Sequence, residues 1–298
     1  MANLYVSESW LAEANDRYRQ RDIPHKQRAF RAWRELSVER QIPLTLGSPI
    51  VREIFDWFSR HAPSAATSYG ELFRFPFFFD AVFWPIAVPT MFGTVRLAPF
   101  EMLPMLPNAT HAALAVDRPA RGEYLSAWSS VVDWVLSFED LYHATARGFA
   151  DQLLAATKRK LVSASHELLS GRPSADAAQS AAFAIELATK RLLVVRKNRT
   201  QPELKAAPFG HNLTRLLEEC SDLLPPEVGS ALIERVRGLP SISARYTDLP
   251  AEPQYLWQCY LTALVACAAC IRVETGRDIA ASLVEASPPE NPAAAADV

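Results

Sequence analysis

The chain has 298 residues, 49% of them hydrophobic and 21% charged, enough apolar length to bury a core in two domains or one elaborated domain. That composition excludes the disordered, collagenous and disulfide-scaffold classes. Thirty-one Lys and Arg against 33 Asp and Glu give a formal charge of −2, so nothing global marks a protein that wraps a polyanion or lies on an acidic membrane, and any anion site has to be local.

The first elements read as helices. The opening MANLYVSESWLAEANDR has no basic stretch followed by an apolar one, so no secretory signal is expected and a cytoplasmic location is. Residues 24–40 place Phe30, Trp33 and Leu36 at helical spacing among arginines. Ser48-Pro49 is a sharp start signal, with Ser as N-cap and Pro pre-set at the first helical position, and Ile50, Ile54, Trp57 and Phe58 give the apolar face of a helix to about His61.

From Phe73 to Leu97 the pattern changes. The stretch is dense in aromatic and β-branched residues, but Pro76, Pro85 and Pro89 forbid a regular helix, and Arg74 and Asp80 argue against lipid. Short strands or extended loops packed on helices are expected, mostly as core; the alternative is a surface for a protein partner.

Long helices follow. Ser137-Phe-Glu-Asp140 reads as an N-cap with acidic first-turn residues, opening a helix to about Leu169 with Tyr142, Phe149, Leu153, Leu161 and Leu168 on one stripe. Gly171-Arg-Pro173 stops it and Ser174 caps the next, in which Ala181, Ile185, Ala188, Leu192 and Val195 form a closely packed seam. A shorter helix starts near His211, another opens at Pro225-Pro226 and ends near Gly238, and the last long one begins near Pro253.

Tyr255 to Val273 carries no charge before Arg272 and is long enough to span a bilayer. Its Ala and Cys content, Gln258 and Thr262 favour a central bundle helix, apolar all round, so no membrane partner is expected. Cys267 and Cys270 have metal-like spacing, but both fall in this run with no second pair, so buried thiols are expected and neither a metal nor a cofactor.

Three fragments in this half carry a family resemblance. AAFAIELATKRLLV (181–194) punctuates an Ala/Leu seam with Glu186 and Lys190; His211-Asn212-Leu213 opens the third helix; Arg245-Tyr246 follows a short helix and precedes the final Ala-rich one. In order and spacing, residues 138–275 resemble HEPN domains of the branch associated with nucleotidyltransferases. Residues 1–135 resemble no family. The domain reading is therefore an N-terminal helical domain over 1–135, a HEPN-like up-and-down helical bundle over 136–278 and a Pro/Ala-rich tail over 279–298, mainly α with a small aromatic, β-capable insert.

The resemblance implies a four- to five-helix bundle that forms homodimers, in proteins tied to RNA cleavage, toxin–antitoxin pairs, phage defence or nucleotide sensing. It implies no catalysis by itself. Nucleases of the family use an Arg, four to six residues and a His near the final helices, so that Arg steadies the phosphate and His moves the 2′-hydroxyl proton. Here no His follows Arg245 at that spacing. The only literal match, Arg159 to His166, lies on the first long helix, where the seven-residue step puts both on one face. The expected function is accordingly non-catalytic: nucleotide, RNA or partner binding by a dimerising bundle. A divergent metal-independent ribonuclease and a pure interaction scaffold are the alternatives.

For binding, the candidates are Lys190, Arg191, His211, Asn212, Arg245 and Tyr246, with His211 at a helix N-terminus where free N–H groups favour a phosphate. The competing reading has His211 as a helix cap, Arg245-Tyr246 as turn packing, and Glu186–Lys190 as an i,i+4 pair worth about 0.3 kcal/mol. His143 beside Glu139 and Asp140 reads as an exposed charge group. Charge is uneven along the chain. Residues 141–210 carry 11 basic and 5 acidic side chains, and 211–298 carry 6 and 12. Lys158, Arg159 and Lys160 with the group from Lys190 to Lys205 could line a nucleic-acid groove; solvated helix faces are the plainer account.

Overall fold

The computed structural model describes residues 6–23, 25–41, 48–61, 71–89, 99–103, 106–142, 148–240 and 251–286. It is mainly α-helical with one small β element. Two units form, one from residues 1–71 with 89–93 and one from 72–88 with 94–298. The boundary expected at 135 falls inside a continuous helix, Arg118–Tyr142, and residues 72–88 group with the bundle.

The first unit contains α1 (Glu8–Gln20), α2 (His25–Glu39) and α3 (Pro49–His61). Ser7 caps α1 by accepting the Trp10 N–H at 3.2 Å. Leu11, Ala14 and Tyr18 of α1 share a core with Ala29, Ala32 and Leu36 of α2 and with Ile50, Ile54, Phe55 and Phe58 of α3. α3 begins at Pro49 as the sequence predicts. It is the Ser48 carbonyl, not its hydroxyl, that accepts from Val51 and Arg52.

β1 (Glu71–Phe79) and β2 (Val82–Pro89), in the second unit but for their end residues Glu71 and Pro89, form a two-stranded hairpin. Its two-residue turn, Asp80-Ala81, has φ of 52° and 59°, the left-handed conformation that matches the twist of the flanking strands. Both strands are edges, where proline is tolerated. Phe73, Phe75 and Phe77 alternate inward with Ile86 and Val88; Phe73 meets the ring of Trp134, and Phe77 those of Tyr124 and Trp257. This aromatic run is largely core; residues 90–97 lie outside the described residues.

After α4 (Asn108–Val116), α5 (Arg118–Tyr142) runs 25 residues and buries Tyr124, Trp128, Val131, Val132, Trp134, Val135 and Phe138. Ser137 therefore opens no helix. It is buried within α5 and its hydroxyl pairs with that of Thr275 at 3.1 Å. The local Ser-x-x-Asp signal loses to apolar periodicity that continues through it. The helix expected from Ser137 to Leu169 is two: α6 (Phe149–Leu169) starts after Gly148, whose N–H donates to the Asp151 carboxylate at 3.0 Å.

α7 (Asp176–Lys197) packs against α6 as a hairpin through the positive-φ Gly171. Ser174 does not cap it; its hydroxyl donates to Glu167. Ala181, Ile185, Ala188 and Leu192 are buried as expected, whereas Val195 is exposed. Then come α8 (Gln201–Lys205), α9 (Leu213–Glu219) and α10 (Pro226–Val236). α11 (Pro253–Thr275) lies against α5, α6 and α7, and α12 (Ile279–Ala286) returns to α5. Fully buried Asp133 on α5 fixes that end, accepting from Arg272 Nε at 2.7 Å and from the Ile279 N–H at 2.9 Å. Burial pushes its carboxyl up against the pull of Arg272.

Among the described helices α11 alone is long and apolar enough to cross a membrane, and 78% of its apolar window is buried inside the protein. It is the core helix of the bundle. Its three cysteines and Cys220 are all buried and unpaired, and among the described residues no cluster could hold a metal. Burial pushes the Cys220 thiol up to about 12 and Cys259 to about 11, so the reactive thiolate is scarce. Iodoacetamide at mildly alkaline pH is expected to label none of the four until guanidinium unfolds the chain, as read by intact mass.

Candidate functional site

α7 sets Glu186 and Lys190 one turn apart on one face, and Lys190 Nζ donates to Glu186 Oε1 at 2.7 Å. Both side chains are under a tenth exposed. The chain then returns to them. Asn198 leaves α7 in the left-handed conformation, Glu203 accepts from the Thr200 N–H to start α8, and the turn after α8 carries His211 back to Glu186. His211 Nδ1 lies 3.0 Å from Oε2 and 3.1 Å from Oε1. A carboxylate only accepts, so Nδ1 carries the proton and Nε2 is the atom left for a ligand.

His211 is not the helix cap. Asn212 is, its Oδ1 accepting the Arg215 N–H at 3.0 Å. His211 stays 53% exposed over its buried carboxylate. One turn before Glu186, Phe183 presents its ring edge-on to His211 with centroids 6.5 Å apart. Lys160 of α6 reaches over the same ring, 5.3 Å from its centroid. The row Lys160, Phe183, His211 thus sets a cation, an aromatic ring and an imidazole side by side, with the Glu186–Lys190 pair beneath. Such a surface can stack a planar ring and receive an anion.

The other predicted site residues are placed elsewhere. Arg191 turns from Lys190 into the bundle, where Nε and Nη2 grip the two Glu274 oxygens at 3.0 and 2.8 Å and Nη1 donates to the Ala150 carbonyl at 2.6 Å. Arg159 and His166 are exposed on α6, seven residues apart, and make no hydrogen bond or ion pair among the described residues. Arg245 and Tyr246 lie outside the described residues, as does His143. Glu139 and Asp140 pair with Lys158 and Arg277.

Most of the basic middle is consumed within the chain. Lys197 reaches Asp222 at 2.7 Å, Arg199 reaches Glu219 at 2.6 Å, and Arg196 donates to the Val273 carbonyl. Hydrogen bonding to Arg199 holds the Glu219 carboxyl below its usual range, and Lys197 does the same for Asp222. Among the described residues, the basic 141–210 segment and the acidic end of the chain are joined by three ion pairs, Arg191–Glu274, Lys197–Asp222 and Arg199–Glu219. The charge imbalance between segments signals this pairing, but names no partners. Phe183 gives no signal in the sequence beyond an aromatic interrupting an alanine seam.

Compared with protein-family models, curated proteins and solved structures, the chain matches none.

Proposed function

We propose that this chain is a non-catalytic, HEPN-like binding protein of the cytoplasm that acts as a homodimer through its bundle and takes a nucleotide or RNA. The HEPN resemblance implies a place in defence, toxin–antitoxin or stress regulation. The observation that carries the binding reading is the row Lys160, Phe183 and His211, where a base can stack while its phosphate meets Lys160 and His211. The test is light scattering of the purified chain, mass spectrometry of anything that co-purifies, and titration with a fluorescent single-stranded RNA. Phe183→Ala is expected to weaken RNA binding by about 1–3 kcal/mol, the worth of one stacked base, with His211→Ala weakening it in the same direction. Unchanged affinity in both variants, or a clean monomer that binds no RNA, would overturn the reading.

The ribonuclease alternative rests on Arg159 and His166, exposed together on α6. RNA cleavage by the purified chain that disappears in His166→Ala is the result that would favour it.

A further inference from the structure

The first unit holds a feature that the bundle reading does not use. Between α1 and α2 lies a groove of about 460 Å³, within the range of sites for small organic ligands. Three of its lining side chains are Arg21, Arg31 and Arg34. All three are exposed, and none has a carboxylate within ion-pair distance among the described residues.

Neighbouring arginines are spent. Arg17 pairs with Glu35, Arg19 with Asp16, and Arg28 donates to the Ile23 carbonyl and to Asn15, each at 2.9 Å. Among the described residues, the three arginines that face the groove keep their guanidinium groups unpaired. Of the two acids lining it, Glu35 is neutralised by Arg17 and also accepts from the Tyr18 hydroxyl, while Glu39 accepts from Trp10 Nε1 at 3.1 Å. Three guanidinium groups against the Glu39 charge leave a local excess of about two positive charges, since arginine stays protonated at any working pH. Beside them Val38, 70% exposed, forms an apolar ledge in the same groove.

Two positive charges in fork-shaped donors next to an apolar ledge match one ligand chemistry. We propose that this groove binds a small organic phosphate monoester, its dianionic head held by Arg21, Arg31 and Arg34 and its carbon skeleton lying along Val38. Guanidinium forks bind phosphate oxygens in pairs, and the monoester carries its second charge only above about pH 6. The site stands apart from the row on the bundle, and its test separates the two.

The experiment is calorimetric titration of the full chain with phenyl phosphate, inorganic phosphate and benzoate as probes. Phenyl phosphate is expected to bind at least about tenfold more tightly than either of the other two, and to weaken as pH falls below about 6 and as salt rises. Arg31→Ala and Arg34→Ala should each weaken it about tenfold or more, whereas Arg19→Ala, an equal loss of charge outside the groove, should leave it unchanged. Phe183→Ala and His211→Ala should also leave it unchanged. No measurable heat with phenyl phosphate would overturn the proposal. So would equal weakening by Arg19→Ala, or an affinity indifferent to Arg31 and Arg34 but lost in His211→Ala, which would put the anion on the bundle.

Discussion

Glu274→Ala is expected to destabilise the bundle by about 3–5 kcal/mol, a large part of the about 5–15 kcal/mol that holds a typical domain folded. The Arg191 and Glu274 side chains are 8% and 6% exposed, and the guanidinium grips both carboxylate oxygens. Removing the acid leaves a permanent cation buried with only the Ala150 carbonyl and the more distant Asp151 carboxylate, 3.8 Å away, to meet it. Arginine cannot shed its proton to escape that environment. The double variant Arg191→Met/Glu274→Leu removes both charges and fills the space with carbon, so it should return close to the parent or exceed it. Urea midpoints of the two variants check this directly. A cost under about 1 kcal/mol for Glu274→Ala would mean that water screens the pair as it does surface pairs.

Trp257→Ala is the second large effect, at about 3–5 kcal/mol. The indole is fully buried near the start of α11, edge-on to Phe77 of the hairpin with centroids 5.7 Å apart. Its Nε1 donates to Glu123 Oε2 at 2.7 Å, joining α11 to α5. Alanine opens a cavity where three elements meet and frees one oxygen of a carboxylate that Gln258 still holds through the other, at 3.1 Å. Trp257→Phe keeps most of the apolar volume and loses the hydrogen bond, so about 1–3 kcal/mol is expected, since the acceptor is charged. Denaturant unfolding separates the two, and near-UV circular dichroism should show the loss of aromatic packing in the alanine variant first.

Where the sequence speaks through strong local rules, the structure follows it. Ser48-Pro49 starts α3, Pro225-Pro226 opens α10, and the prolines after Phe73 turn an apolar run into a hairpin instead of a helix. The apolar-all-round character of α11 also reads correctly as a bundle core. Local rules mislead at Ser137 and Ser174. A cap signature there competes with long-range burial: Ser137 sits in the buried run of α5 between Trp134 and Phe138, and the Ser174 hydroxyl pairs with Glu167 rather than with the α7 backbone.

The candidate site was half legible. Glu186 and Lys190 stand out at helical spacing, and His211 stands out beside Asn212, but nothing local says that the imidazole folds back onto Glu186 while Asn212 takes the cap. That outcome depends on the length of the α8 turn. Arg191 is adjacent to Lys190 in sequence, and the 100° step between neighbouring helix residues sends it to the interior and to Glu274 instead of to the same face. Ion-pair partners 20 to 83 residues apart are set by helix packing, which composition alone does not encode.

The pairing of α5 with α11 has a consequence for how the protein is made. About 110 residues separate the end of α5 from the start of α11, so at about 5–20 residues per second the ribosome delivers the second helix about 5–20 seconds after the first. Throughout that interval the face of α5 that carries Glu123, Asp133, Trp134 and Ser137 has no α11 to cover it. The α6–α7 hairpin, whose contacts are local, can form meanwhile, but it cannot stand in for that surface. The nascent chain therefore passes through a stage in which the α11-facing side of α5, with the buried Asp133 carboxylate, is open to solvent, and its yield in a cell should depend on chaperone supply and on the speed of translation across residues 143–275.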